Sequence, residues 1–138
     1  MTDRILVIDD EPAILMAVGT YFRRQGYEVD CAPDRAEAER LLAVHRYVCL
    51  IADVRLSAAQ PLEGLEIVAA ARARHPGTRA IVLTAYGSAK VEEEARRRGA
   101  DAFLHKPKLL RDVARVVARV TGRPLDGEAK PKEKEGER

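Results

Sequence analysis

Four apolar runs in this 138-residue chain end in side chains suited to phosphoryl or metal chemistry. Ile5-Leu6-Val7-Ile8 runs into Asp9-Asp10-Glu11, Val48 to Ala52 into Asp53, Ala80 to Leu83 into Thr84, and Ala102 to Leu104 into His105-Lys106-Pro107. Parallel strands of one open sheet place their carboxyl ends on a single edge, which is where such sheets bind ligands. Three carboxylates, a hydroxyl and an ammonium then gather there. One polar residue after a strand is ordinary punctuation, but four strand ends that agree are a pattern. Like charges held close raise one another's pKa unless a counter-charge intervenes. A hard divalent cation such as Mg²⁺ takes oxygen ligands, so Asp9, Asp10 and Asp53 form a candidate metal site. Lys106 adds a fixed positive charge and Thr84 a neutral donor. That set suits a phosphoryl group, whose transfer is catalysed mainly by positioning and charge neutralisation. A carboxylate can itself be the nucleophile and form an acyl phosphate. His105 alternates with Lys106, which turns it away from the site toward a structural or surface role.

The elements that must position these groups read as strands alternating with helices. The Ile5–Ile8 run is continuous and rich in β-branched residues, as in a strand covered on both faces. Pro12 suits the first turn of a helix carrying Ile14, Leu15, Val18 and Phe22 and stopped by Gly26. Glu28 to Ala32 alternates polar and apolar residues and reads as an edge strand. Asp34 with Glu37 has the form of a capping box opening a second helix through Leu41, Leu42 and His45. A polar, Pro-containing loop from Ser57 to Glu63 leads to a third helix over Gly64 to Arg74. Ser88 caps a fourth helix ending near Gly99, and a fifth runs from Leu109 to Thr121 before Gly122. Glu92, Glu93 and Glu94 stand four residues before Arg96, Arg97 and Arg98, as in a solvated helix face laced with ion pairs. Five βα units with short right-handed connections give an α/β fold: an open, mostly parallel sheet with helices on both faces.

Composition narrows the function. The 24 basic and 22 acidic residues leave a net charge of +2, without the basic footprint of an autonomous nucleic-acid binder. Aromatics at 4% with no Trp argue against stacking platforms for single strands. No apolar run approaches the ~20 residues of a membrane span, so neither direct nucleic-acid binding nor membrane insertion is expected. Cys31 and Cys49 lie in apolar stretches without metal-ligand spacing and read as buried thiols of a cytoplasmic protein. The segment from Gly122 to Arg138 holds five basic and five acidic residues, with Leu125 its one large apolar side chain. It reads as a charged, disordered tail (122–138) following a domain over residues 1–121.

With its motifs in this order, the chain resembles the receiver (response regulatory) domain of bacterial two-component response regulators, the CheY-like superfamily, over residues 3 to 121. The matching residues are the acidic pair Asp9-Asp10, the lone Asp53 after the third strand, Thr84-Ala85, and Lys106-Pro107. The resemblance implies a flavodoxin-like (βα)5 three-layer sandwich with strand order 2-1-3-4-5. It implies a signalling phosphoprotein and not a metabolic enzyme, with Asp53 taking phosphate from a sensor histidine kinase or phosphotransfer protein. Asp10 and Asp53 would bind Mg²⁺ directly with the backbone carbonyl of Arg55, while Asp9 acts through water. Thr84 and Lys106 would contact the phosphoryl oxygens. Phe103 falls at the position of the family's rotating aromatic, so phosphate would draw Thr84 inward and Phe103 would fill the vacated space. The partner face would comprise the fourth helix, last strand and last helix, open to a downstream protein target or to a homodimer through the last helix and strand. The Lys106–Pro107 bond is expected to be cis. Arg55 and Tyr86 fall at the edges of the path by which water reaches the phosphoryl group.

The chain departs from the family pattern after Asp53. The stretch to Gly64 is about three residues longer than usual, Ser57 stands where Pro is common, and Lys108 replaces a commonly apolar residue. A haloacid-dehalogenase-type Mg²⁺-dependent phosphohydrolase also uses a strand-end Asp, but needs a second Asp two residues later, where this chain has Arg55. A receiver-like interaction module that works without phosphorylation is the other alternative, and the intact cluster weighs against it. For Phe103, a plain core aromatic is the competing role. For Cys31 and Cys49 it is small hydrophobes, and for His45 and His75 helix-end solvation.

Overall fold

The computed structural model describes residues 3–123. Five strands, β1 (Arg4–Ile8), β2 (Glu28–Ala32), β3 (Cys49–Ala52), β4 (Arg79–Thr84) and β5 (Ala102–His105), alternate with five helices. These are α1 (Pro12–Arg24), α2 (Arg35–Val44), α3 (Glu63–Arg74), α4 (Ala89–Arg97) and α5 (Leu110–Thr121). All strand pairs are parallel, in the order β2-β1-β3-β4-β5. The flavodoxin-like arrangement expected of the sequence is the one observed, with β2 at an edge.

Alternation along the central strands divides the interior. Ile5 and Val7 of β1 join Ile51 and Ile81 in one cluster, covered by Val18 and Phe22 of α1 and Val113 and Val117 of α5. Leu6 and Ile8 turn the other way with Leu50, against Leu41 and Leu42 of α2 and Ile67 and Val68 of α3. A third cluster of Val54, Leu65, Val82, Ala95 and Phe103 lies beneath α4. Each fully buried Leu, Ile or Phe contributes about 1.5–3 kcal/mol, so a sheet covered on both faces is a rigid base for its loops.

Helix ends follow the sequence signals. Pro12 opens α1, and Gly26 takes a φ of 98° just beyond it. The Asp34 side chain accepts from Glu37 N–H, while the Glu37 carboxylate turns to Arg40 instead of closing the capping box. Ser88 accepts from Val91 N–H at the start of α4. On α4 the expected register holds for Arg96 with Glu92 and Arg98 with Glu94, but Arg97 pairs with Glu94 rather than Glu93. Both i,i+3 and i,i+4 neighbours lie in reach on a helix, so Glu94 takes two guanidinia. Gly122 ends α5 in the left-handed region at φ 74°. Arg123 pairs with Asp3; the rest of the expected tail, residues 124–138, lies outside the described residues. No described helix is long and apolar enough to cross a membrane.

Candidate functional site

β1, β3, β4 and β5 end side by side, and their last residues converge as the spacing predicts. Asp9 and Asp53 are continuations of buried strands and stay in the interior, 2% and 3% exposed. Their main-chain N–H groups donate to Ala32 and Ile8, which extends the sheet pairing to the site itself. Asp10 faces outward and takes no side-chain hydrogen bond among the described residues. One carboxylate oxygen from each of Asp9, Asp10 and Asp53 lies within 4.8 Å of the others.

Lys106 reaches across from β5. Its Nζ donates to Asp9 Oδ2 at 2.7 Å and Asp53 Oδ2 at 3.0 Å, and contacts Glu11 Oε1 at 3.3 Å. Burial disfavours the ammonium charge, but the Asp9 and Asp53 carboxylates outweigh it and hold Lys106 protonated above its ordinary range. Burial pushes the Asp9 carboxyl up against the opposing pull of Lys106 and Glu11 N–H. Charge is therefore held in this site at a cost in desolvation. On the other side of Asp53, the Thr84 hydroxyl donates to Oδ1 at 2.5 Å, and Tyr86 N–H donates to that same hydroxyl oxygen at 3.1 Å. Thr84 is fully buried, and Phe103 is only 7% exposed, packed with Val54, Leu65 and Val82. The Lys106–Pro107 bond is cis, as expected.

The cluster opens into a cleft of about 290 Å³, walled by Asp10, Glu11, Arg55, Ser57 and Tyr86 among others. Arg55 and Tyr86 meet there: the guanidinium carbon lies 4.9 Å from the ring centroid. His105 points away from Asp53, as alternation requires, and its ring packs edge-on against Phe103 at 5.4 Å. Both cysteines are free thiols, Cys49 buried and Cys31 half-buried, with burial pushing their pKa values up.

Three contributors were not legible as such. Glu11 reads only as the last acid of the run after the first strand but also touches Lys106. Gly64 sits directly on the Asp53 main chain: a Cβ there would lie 1.7 Å from the Asp53 carbonyl oxygen. Gly87 sits instead against β5 side chains: a Cβ there would come within 2.6 Å of the His105 ring and 3.0 Å of Phe103. A glycine after a strand-end acid is the one signal that could have marked Gly64, because close backbone approach requires it.

Fold and site together define an α/β sheet protein with a cluster of carboxylates, a lysine and a threonine at its carboxyl edge. The sequence profile of the response regulator receiver domain matches residues 5–118, and the chain belongs to that family. It is a receiver domain, a signalling switch of two-component regulation. Among curated relatives, the transcriptional regulatory protein GlrR of Escherichia coli K12 is 32% identical over 103 residues, covering 75% of this chain and 22% of that protein. SrrA of Staphylococcus aureus is 31% identical over 113 residues, covering 82% and 45%. The chain therefore spans less than half the length of these relatives. The CheY-like receiver domain protein from Methanospirillum hungatei superposes with a TM-score of 0.82 at 28% identity, over 88% of this chain and 95% of that one. A response regulator from Burkholderia pseudomallei, solved with a phosphorylated aspartic acid, calcium ion and citrate, gives 0.79 at 27% identity, over 87% and 69%.

Proposed function

We propose that this chain accepts a phosphoryl group on Asp53 from the phosphohistidine of a sensor histidine kinase or phosphotransfer protein. One observation carries the reading: the Asp53 carboxylate is gripped by the Thr84 hydroxyl and the Lys106 ammonium and borders an open cleft. Attack by an Asp53 oxygen on phosphorus forms the acyl phosphate as the P–N bond to the donor imidazole breaks, and the imidazole leaves as the neutral base after protonation. Lys106, kept protonated, faces the oxygens on which negative charge accumulates. Thr84 supplies a hydroxyl donor on the opposite side, and Tyr86 N–H holds that hydroxyl in place.

The donor set fits a hard divalent cation. It is all oxygen, clustered, and carries more negative charge than Lys106 offsets. Asp10 and Asp53, with the Arg55 carbonyl, would hold Mg²⁺ directly and Asp9 through water; the ion would supply positive charge to the phosphoryl oxygens. The phosphorylated state is read out through Thr84 and Phe103 to the face formed by α4, β5 and α5, where a downstream protein target binds. NMR shift changes confined to the loop around Asp53, with none at Phe103, would remove that part of the proposal. Free thiols at Cys31 and Cys49 support a reducing, cytoplasmic setting.

The test is intact mass after incubation with a small phosphodonor and Mg²⁺. Wild type is expected to gain one phosphoryl group and Asp53→Asn none. Equal uptake by the variant would overturn the assignment.

A further inference from the structure

The stretch from Asp53 to α3 is firmly anchored at both ends. Leu56 is buried in the cluster under α2 and α3, and Leu62 packs against the cluster of Val54 and Phe103. Gly64 N–H donates to the Val54 carbonyl at 2.8 Å, and Glu63 N–H to the Gln60 carbonyl at 3.2 Å. Between these anchors the chain doubles back, with Ser57 and Gln60 joined in an antiparallel bridge. Arg55, Ser57 and Ala58, on the near limb of this turn, wall the cleft over Asp53. Ala59, at the tip, is exposed and outside that wall. Arg55 also stacks on the Tyr86 ring, which ties the turn to the loop after β4.

The facing wall is held by the ion pairs of Lys106 with Asp9, Glu11 and Asp53. The space between is about 290 Å³, at the small end of ligand sites, which run from about 300 Å³ upward. Asp53 at its floor has a side chain 3% exposed, with Thr84 on one oxygen and Lys106 on the other. A donor must therefore bring phosphorus down this passage, with its leaving group in line between the two walls.

We propose that the 55–60 turn is a size filter on the phosphodonor, passing leaving groups no wider than one flat ring and disfavouring branched ones. The short side chains of Ser57 and Ala58 set the width. Imidazole and acetate meet that limit, and trimethylacetate does not. The inference rests on phosphate acceptance at Asp53. With either acyl phosphate, an Asp53 oxygen bonds to phosphorus as the P–O bond to the carboxylate breaks, and the carboxylate leaves with that electron pair. The two carboxylates are of similar basicity, so the donors differ mainly in width.

The probes are acetyl phosphate and trimethylacetyl phosphate, each given to the full chain with Mg²⁺ and followed by intact mass. Wild type is expected to take phosphate from acetyl phosphate at least about tenfold faster, the scale of surplus methyl groups in a tight site. Deleting residues 58–60 shortens the turn and should bring the two rates close together. Ala58→Leu narrows the passage and should widen the gap, while Ala59→Leu should leave both rates as in wild type. Thermal melts establish folding, and if the deletion does not fold, Ala58→Leu decides alone. Equal wild-type rates with the two donors would overturn the filter. So would a ratio that Ala58→Leu leaves unchanged or that Ala59→Leu shifts as much. In those cases uptake from acetyl phosphate shows that Asp53 still accepts phosphate, and the filter alone fails. No wild-type uptake from either donor would overturn the acceptance reading and the filter with it.

Discussion

At the amino end of the sheet, Arg4, Arg72 and Arg79 face Glu28, Asp30 and Asp101, three cations to three carboxylates. Tyr47 O–H donates to Asp30 and Ala80 N–H to Asp101, so the lone pairs are used as well. At the carboxyl end, Asp9, Asp10, Glu11 and Asp53 are four carboxylates, and the cation in contact with them among the described residues is Lys106. The unmatched end also holds the driest of these acids: Asp9 and Asp53 side chains are 3% exposed, against 24% for Asp30 and 23% for Asp101, while Asp10 and Glu11 lie open beside them. Stability alone would arrange the reverse, because an uncompensated charge costs more as it loses water. The same acids therefore serve as cross-links at one end and as an unmet demand for positive charge at the other. That demand is what a divalent cation or an approaching phosphoryl site with its counter-ion would meet.

The comparison breaks most sharply at two glycines. Gly64 lies against the Asp53 carbonyl, whereas a Cβ added to Gly77 at the amino end would meet nothing within 4 Å. Gly64→Ala is expected to cost about 3 kcal/mol in urea unfolding and to abolish phosphate uptake, since the Asp53 backbone must shift. Gly77→Ala is expected to stay within about 0.5 kcal/mol of wild type. The acids come next. Asp101→Ala strips Arg72 and Ala80 N–H of their acceptor and should cost about 2 kcal/mol. Asp10→Ala should change stability by no more than about 0.5 kcal/mol without divalent cation, yet remove the rise in melting temperature expected of wild type with Mg²⁺. An unaltered Mg²⁺ response in that variant would show that the surplus charge is not a metal site.

A smaller effect concerns the cleft wall. Losing the Arg55–Tyr86 stack in Tyr86→Ala should speed loss of the phosphoryl group about two- to fivefold, the scale of an exposed cation–π contact. Identical decay in Tyr86→Ala, Arg55→Ala and wild type would leave the wall without a role.

The smallest effect appears at alkaline pH. Burial, reinforced by the hydrogen bond to Asp30, pushes the Tyr47 hydroxyl above its ordinary 10.0. Lys106 is likewise held above 10.5. Both groups keep their protons in the folded chain after the unfolded chain has lost them, so stability falls as pH rises beyond about 10. Tyr47→Phe should make that fall shallower, and an unchanged slope would assign it elsewhere.

The strand-end groups were legible because each follows an uninterrupted apolar run, and parallel pairing then leaves them no place but one edge. Asp9, Asp10, Asp53, Thr84 and Lys106 all meet there for that reason. What stayed hidden depends on approach between segments far apart in the chain. Nothing local tells Gly64 that Asp53 lies beneath it, or Glu11 that Lys106 arrives from 95 residues away. The partner of Arg97 was missed because i,i+3 and i,i+4 acids compete on equal terms, and only side-chain packing decides. The amino-end network was invisible for the same reason: Arg4, Tyr47, Arg72 and Asp101 look like ordinary surface residues until the sheet order joins them.

We propose that Asp53, alone among the clustered carboxylates, is the nucleophile. Borohydride reduction of the chain after phosphodonor treatment, followed by peptide mass mapping, reads it directly, because hydride cleaves an acyl phosphate and marks the residue that carried it. The mark is expected on Asp53 alone and to depend on Mg²⁺. A mark on Asp9, Asp10 or Glu11, or phosphate recovered on a histidine, would contradict the account.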